Sequence, residues 1–176
     1  MFTKTISGDA QKSLAILGKD ILSKGTYMAG GSALALHFGH RFSVDFDFFT
    51  NLSFSSSDLE EELKKIGEFK SKIVLSDTLL GTFNNIQFSM FYYKYSLLFP
   101  TVKFLCIELA DPRDIGAMKI AAIMDRGYKK DFFDLYFLSK NGISLEECFV
   151  NYDKKYKALE NNLYSILTSL SYFVDA

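Results

Sequence analysis

Apolar residues alternate with polar ones in short runs over the first 110 residues, and this pattern predicts strands separated by helices. Apolar residues from Leu14 onward recur at helical spacing and predict an amphipathic helix over 9–24. Asn84–Asn85 tolerates positive φ and predicts a hairpin turn between two of the strands. The predicted strands are 26–29, 43–49, 73–75, 79–83, 86–92 and 102–109.

Two short helices are predicted between these strands. The first covers 33–38 and ends at Gly39. The second covers 57–66 and begins with Ser57 and Glu60 at the spacing of a capping box.

After residue 110 the sequence pattern predicts helices and no strands. Asp111 suits an N-cap, Pro112 suits a first helical turn, and Gly127 suits the end of that helix. The order of elements predicts an α+β fold, with a small mixed sheet and flanking helices over 1–110 and a helical part over 111–176. The other helices predicted in the second part are 130–140, 144–151 and 155–173.

Composition narrows the class of protein. The chain has 176 residues, 48% of them apolar, which is enough for one cored domain with a helical appendage. Its net charge of -1 excludes a global basic field for nucleic acid, and the lysines of 152–157 are predicted to begin a solvated helix. Without a signal peptide or a run of membrane-spanning length, the expected location is the cytoplasm, away from membranes. Cys106 and Cys148 fit no metal or redox spacing and are predicted to be reduced core thiols.

The segment MAGGSALALHFGHRFSVDFDFF, residues 28–49, contains the first candidate chemistry. Strand alternation places Asp45 and Asp47 on one face and Phe46 and Phe48 on the other. Carboxylates at i and i+2 lie roughly 6–7 Å apart along a strand and form a compact ligand pair for Mg²⁺. A solvated strand face is the alternative.

Gly30, Gly31 and Ser32 precede that pair. Glycine lets a phosphate approach the backbone, serine adds a hydroxyl, and the helix that follows directs its N-terminal amides at the anion. A simple turn is the alternative. His37 and His40 lack a third ligand for zinc and are predicted to be a packing and surface pair.

The glycine-serine turn, a spacer of about a dozen residues and the Asp-x-Asp pair together resemble the first motif of the polymerase-β-like nucleotidyltransferase superfamily. The resemblance implies that Gly31 and Ser32 hold a triphosphate. It also implies that Asp45 and Asp47 bind two Mg²⁺ ions, which activate the α-phosphate and neutralise the leaving pyrophosphate.

A second group of charged residues lies on the two helices after Asp111. Lys119 and Arg126 are seven residues apart and share one helical face, and Asp131 and Asp134 share a face of the next helix. The two cations and two carboxylates are predicted to converge where the helices meet. Helix-surface salt bridging is the alternative.

The pattern DIxxxKxxAxxxRxxKKDxxDL over 114–135 resembles the C-terminal motifs of the AbiEii/AbiGii toxin-like nucleotidyltransferases. The resemblance implies that the helical lysine, Lys119, contacts nucleotide phosphate and that Lys130 and Asp131 complete the active site. Arg126 and Asp134 match the same motifs, and we expect Arg126 to hold an aspartate or reach phosphate. The implied protein is a toxin that uses a nucleoside triphosphate, modifies an acceptor RNA or protein and is paired with a cognate antitoxin.

One element of the superfamily pattern is absent. Many members carry a third carboxylate on a later core strand, and the expected strand here has Ser89 at that place, with Asp77 and Glu108 as the nearest acids. Asp131 could serve as the base or organise the site, or metal and water could take the proton. Two functions therefore stay open: an active nucleotidyltransferase, and a nucleotide-binding or protein-interaction module that has lost catalysis.

Overall fold

The computed structural model describes residues 1–22 and 25–172, and these form one mixed sheet and a set of helices. The strands lie in the order β3-β4-β5-β2-β1-β7-β6. The β2–β5 and β1–β7 pairs are parallel and the other neighbours are antiparallel, which confirms the predicted mixed sheet. The strands are β1 Thr26–Ala29, β2 Phe46–Thr50, β3 Phe69–Leu75, β4 Thr78–Phe83, β5 Ile86–Tyr92, β6 Val102–Phe104 and β7 Ile107–Leu109.

Four of the α-helices begin at a side chain that accepts a hydrogen bond from a main-chain N–H of the first turn, as N-caps do. These N-caps are Ser7, Ser55, Asp111 and Ser144. Within residues 1–22 and 25–172, no helix combines the length and apolarity needed to cross a membrane. The helices are α1 Gly8–Asp20, α2 Gly30–Phe38, α3 Ser56–Ile66, α4 Pro112–Asp125, α5 Lys129–Lys140, α6 Leu145–Tyr156 and α7 Leu159–Ser171, and a 3-10 turn covers Thr3–Thr5.

The chain divides into two compact units. The sheet unit consists of Met1–Ser96 and Thr101–Ala110, and the helical unit consists of Leu97–Pro100 and the chain from Asp111 onward. Phenylalanines from the central strands fill the core of the sheet unit: Phe46 and Phe48 are fully buried, and the Phe48 ring lies 5.7 Å from that of Phe88. The mixed order of strands and helices, followed by helices alone, confirms the predicted α+β class.

Several predicted boundaries in the sheet unit are wrong. Strand β2 begins at Phe46, so Asp45 lies in the preceding loop. The predicted strand 102–109 is a hairpin, because Leu105 and Cys106 adopt positive φ and turn the chain back. Cys106 is therefore exposed at a turn, whereas Cys148 is buried as predicted. The capping side chain of α3 is that of Ser55 rather than Ser57. Helix α1 ends at Asp20, and the predicted end at 24 lies outside the described residues.

A buried ion pair holds the helical unit together. The Asp114 carboxylate accepts hydrogen bonds from Lys155 Nζ at 2.8 Å and from the main-chain N–H groups of Leu98 and Phe99 at 3.0 and 2.9 Å. Both charged side chains are fully buried. The predicted solvated helix start at 152–157 is wrong, because α6 continues to Tyr156 and carries Lys155 inside.

We predict that Asp114→Ala destabilises the protein more than Lys155→Met does. Loss of the carboxylate leaves a buried ammonium and two main-chain donors without their acceptor, at a cost of about 3–5 kcal/mol. Loss of the ammonium leaves the carboxylate with its two main-chain donors. Urea unfolding followed by circular dichroism measures both losses, with the exposed Lys154→Met as the control. Equal losses for the two variants would contradict this account.

Candidate functional site

A tight turn between β1 and α2 brings Gly30 against Asp47. Gly30 has a φ of +73°, a conformation that other residues rarely adopt. A methyl group built on Gly30 would come within 3.0 Å of Oδ2 of Asp47. The contact follows from the sheet register, in which Ala29 of β1 is paired with Asp47 of β2. Glycine is therefore required here by backbone conformation and by the neighbouring carboxylate.

The next residue, Gly31, is covered by an arginine. A methyl group built on Gly31 would collide with Nη2 of Arg41, whose Nη1 donates to the carbonyl oxygen of Phe42 at 3.2 Å. Sequence reasoning missed Arg41. One signal was available, because Arg41 is one of three arginines in the chain and lies between the glycine turn and the aspartate pair.

The N-terminus of α2 has donors to offer an anion. Its N-cap, Ala29, supplies no side-chain hydrogen bond to the first turn. The first N–H groups of a helix have no partner within the helix, and this end carries partial positive charge. The arrangement of glycine turn and helix start fits the predicted phosphate site.

The side chain of Ser32 makes a hydrogen bond that the sequence analysis did not predict. Its hydroxyl is 1% exposed and donates to Oγ of Ser43 at 2.8 Å. The N–H of Ser43 donates in turn to the carbonyl oxygen of Thr5 at 3.1 Å. Ser32 therefore ties the start of α2 to the loop that leads into β2.

Asp45 and Asp47 are half-buried, and the intervening Phe46 is fully buried. Asp47 lies on β2 in register with Ser89 of the parallel strand β5. The hydroxyl of a serine thus stands beside the carboxylate where many superfamily members have a third acid.

The other two acids considered for that role are engaged elsewhere. Glu108 accepts a hydrogen bond from the hydroxyl of Thr101 at 2.6 Å. Asp77 accepts hydrogen bonds from the main chain of Phe54 and the hydroxyl of Ser53, both at 2.8 Å, and these lower its pKa. Both carboxylates have structural partners within the sheet unit.

Asp47, which lies against the glycine turn, and Asp45, two residues before it, are oxygen donors of the kind that Mg²⁺ prefers. Among the described residues, no group of three or more His, Cys, Asp or Glu side chains is placed to hold a metal ion. Mg²⁺ commonly takes one or two carboxylates and completes its octahedron with phosphate oxygens and water. Asp45 and Asp47 could supply the carboxylates, and a bound triphosphate could supply the phosphate oxygens.

His37, which was considered as a zinc ligand, has another partner, since its Nε2 lies 2.9 Å from the carbonyl oxygen of Ala110.

The four charged side chains predicted to converge in the helical unit do so. Lys119 Nζ lies 2.7 Å from Asp131 Oδ1 and 2.6 Å from Asp134 Oδ2. Arg126 Nε lies 3.0 Å from Asp131 Oδ2. Lys119 and both aspartates are buried, so the alternative of helix-surface salt bridging is wrong for these three, and only Arg126 is exposed among the four.

The cations set the protonation of Asp131. Burial alone would raise its pKa, but the hydrogen bond from Arg126 and the charge and hydrogen bond of Lys119 outweigh burial and hold the pKa below its usual value. Asp131 is therefore an ionised carboxylate with both oxygens bonded to cations. Lys130, the residue before it, is exposed in the first turn of α5.

Comparison with known proteins gives matches over most of the chain. The family described as "Nucleotidyl transferase AbiEii toxin, Type IV TA system" matches residues 13–102 and 95–171. An uncharacterized protein of Aquifex aeolicus (strain VF5) is 42% identical over 155 residues, which cover 85% of this chain and 74% of that protein.

Two solved structures are similar in fold at low sequence identity. MenT4, a nucleotidyltransferase toxin from Mycobacterium tuberculosis, superposes with a TM-score of 0.58 at 15% identity over 88% of this chain and 65% of its own. The Megavirus polyadenylate synthase superposes with a TM-score of 0.53 at 15% identity over 76% of this chain. The chain spans only 31% of the length of the synthase. The shared fold is that of nucleotidyltransferases.

We predict different effects of adding a methyl group to the two glycines. Gly30→Ala forces a left-handed conformation that costs about 1–2 kcal/mol and presses on the Asp47 carboxylate. Gly31→Ala meets only the end of a flexible arginine, so the free energy of unfolding changes little while Arg41 is displaced. Chemical denaturation of the two variants measures the difference, and a Gly30→Ala variant as stable as Gly31→Ala would contradict it.

We predict that the contribution of Asp131 to stability is lost in acid. Its folded pKa lies below the unfolded value of about 3.9, so the stabilisation is complete above that pH and disappears as pH falls through the folded pKa. The difference in unfolding free energy between the wild type and Asp131→Asn should be constant from about pH 7 to pH 5 and shrink below about pH 4. Asp125→Asn, at an exposed position, is the control. A difference that persists undiminished in acid would refute the prediction.

Proposed function

Because the chain belongs to the AbiEii family of nucleotidyl transferase toxins, we propose that it transfers a nucleoside monophosphate from a nucleoside triphosphate to an acceptor hydroxyl. The observation that carries this proposal is the contact between the glycine turn and Asp47. Two glycines without side chains of their own and a carboxylate able to hold a divalent ion lie side by side, at the start of a helix whose N-cap makes no side-chain hydrogen bond.

Each residue of this group has a role in the proposal. Gly30 and Gly31 let the triphosphate approach the N–H groups of α2. Ser32 holds α2 to the loop through Ser43, because its buried hydroxyl already donates there. Asp45 and Asp47 hold Mg²⁺, which when bound neutralises phosphate charge and assists departure of pyrophosphate.

In the proposed reaction the acceptor oxygen forms a bond to the α-phosphorus, the bond from phosphorus to the pyrophosphate oxygen breaks, and the acceptor hydroxyl loses its proton. Ser89 beside Asp47 offers no carboxylate to take that proton. Asp131 is a weak base, because its pKa is lowered and both its oxygens accept hydrogen bonds from cations. We therefore assign the proton to solvent.

The charged group of the helical unit positions phosphate-binding cations in this proposal. Asp131 and Asp134 hold Lys119, and Asp131 also orients Arg126. Of the three cations predicted to bind phosphate, Arg126 and Lys130 are exposed, and we assign the phosphate contact to them. Lys119 is buried between the two aspartates and holds them in place.

The proposed acceptor is an RNA end or a protein side chain, and the proposed physiological partner is a cognate antitoxin, as the type IV toxin–antitoxin description of the family suggests. MenT4 is a nucleotidyltransferase toxin, which supports the toxin role. A nucleotide-binding module without catalysis is the second candidate, and the serine at the place of a third carboxylate is the observation that favours it.

Titration calorimetry with ATP, GTP, CTP and UTP, with and without Mg²⁺, tests the nucleotide site. We expect one or more triphosphates to bind only with Mg²⁺, and the double variant Asp45→Asn with Asp47→Asn to lose this binding. The variant should fold as stably as the wild type or slightly more so, because it removes two negative charges that are half-buried in an apolar segment. Asp20→Asn with Asp125→Asn, both exposed, is the matched control.

Labelled triphosphate incubated with RNA and with protein separates the two candidate functions. Incorporation of label into either acceptor that requires Asp45 and Asp47 would establish the transferase. Binding that is retained without any incorporation would favour the binding module. A well-folded protein that binds no triphosphate would overturn both.

A further inference from the structure

Arg41 lies against the start of α2, at the place where the proposed function puts a triphosphate. Its guanidinium occupies the space next to Gly31, and the carboxylate of Asp47 occupies the space next to Gly30. Opposite charges thus cover two consecutive glycines. The loop that carries Arg41 also carries Ser43, whose hydroxyl is tied to Ser32 in the first turn of α2.

A cation at the start of a helix is favourable only when negative charge lies close to it. The N-terminal end of a helix favours an anion and disfavours a cation, because its unpaired N–H groups carry partial positive charge. The first turn of α2 receives no side-chain hydrogen bond from its N-cap. The Asp47 carboxylate beside Gly30 supplies part of the negative charge near this guanidinium, and a phosphate group would add to it.

The chemistry of arginine favours phosphate as the ligand of this guanidinium. The guanidinium presents paired donors in one plane, which match two oxygens of a phosphate group, and it keeps its charge at any physiological pH. We propose that Arg41 binds the phosphates of the nucleoside triphosphate, together with the N–H groups at the start of α2. This inference rests on the proposed function, since it names a further residue of the same site.

The role proposed for Arg41 explains why residue 31 is a glycine, which has no side chain. A side chain at this position would push the guanidinium away from the start of α2, where the helix has its free N–H groups. Gly31 then serves Arg41 as well as the phosphate. The alternative is that Arg41 is structural, holding its loop through the hydrogen bond to the carbonyl oxygen of Phe42.

Binding measurements on Arg41→Gln and Arg41→Lys test the proposal. The probes are the triphosphate that the wild type binds best, with Mg²⁺, and inorganic tripolyphosphate with Mg²⁺. We expect Arg41→Gln to weaken both by about 10- to 100-fold, the usual effect of losing charged hydrogen bonds. Arg41→Lys keeps the charge without the planar pair of donors, and its affinity should fall between those of the wild type and Arg41→Gln.

Three further readouts separate phosphate binding from a structural role. The melting temperature of Arg41→Gln should equal that of the wild type, and triphosphate binding by Arg41→Gln should depend less on salt concentration, because one charged contact is lost. Gly31→Ala should reduce triphosphate affinity without loss of stability. Lys19→Gln, which removes one positive charge from an exposed position of α1, should bind as the wild type does.

The outcomes distinguish this inference from the proposed function. If the wild type binds triphosphate through Asp45 and Asp47, and Arg41→Gln binds it equally well, only the role of Arg41 is overturned. If Arg41→Gln loses binding only in proportion to a lowered melting temperature, the residue is structural and the inference is wrong. If the wild type binds no triphosphate, both the function and the inference are overturned.

Discussion

A carboxylate removed from water must be given partners, and this constraint organises the helical unit. Asp114 is buried because Lys155 and two main-chain N–H groups satisfy it, and Asp131 is buried because Lys119 and Arg126 do. Desolvation of each charge is offset only when every oxygen finds a donor at good geometry. The helices of this unit are therefore held by ionic partners as well as by their apolar faces.

The two aspartates of the candidate site in the sheet unit are in a different environment. Asp45 and Asp47 are half-buried, and Asp47 lies against Gly30 while the guanidinium of Arg41 lies against Gly31. Because these side chains are only half-buried, solvent and a ligand can reach them. The contrast supports a ligand role for this group and a positioning role for the carboxylates of the helical unit.

The sequence by itself determined most of what is local. The N-cap at Asp111 and the turn at Asn84–Asn85 follow from the chemistry of single residues, whereas the cap of α3 is Ser55 and not the predicted Ser57. The helix and strand periods place side chains on faces. The α+β class and the convergence of Lys119, Arg126, Asp131 and Asp134 were predictable. Lys119 lies on α4, Arg126 is the residue that caps its end, and both aspartates lie on α5 after a short turn. Two motif blocks in the right order were sufficient to indicate the family.

Tertiary structure alone decided which distant groups meet. The pairing of Asp114 with Lys155, 41 residues apart, depends on how α4 packs on α6. The coverage of Gly31 by Arg41 depends on the path of the loop between α2 and β2, and the period of a strand or helix contains no information about that path. The sequence also did not determine which charged side chains are buried. A charged helical face can be exposed to solvent or buried against another helix, and this depends on how the helices pack.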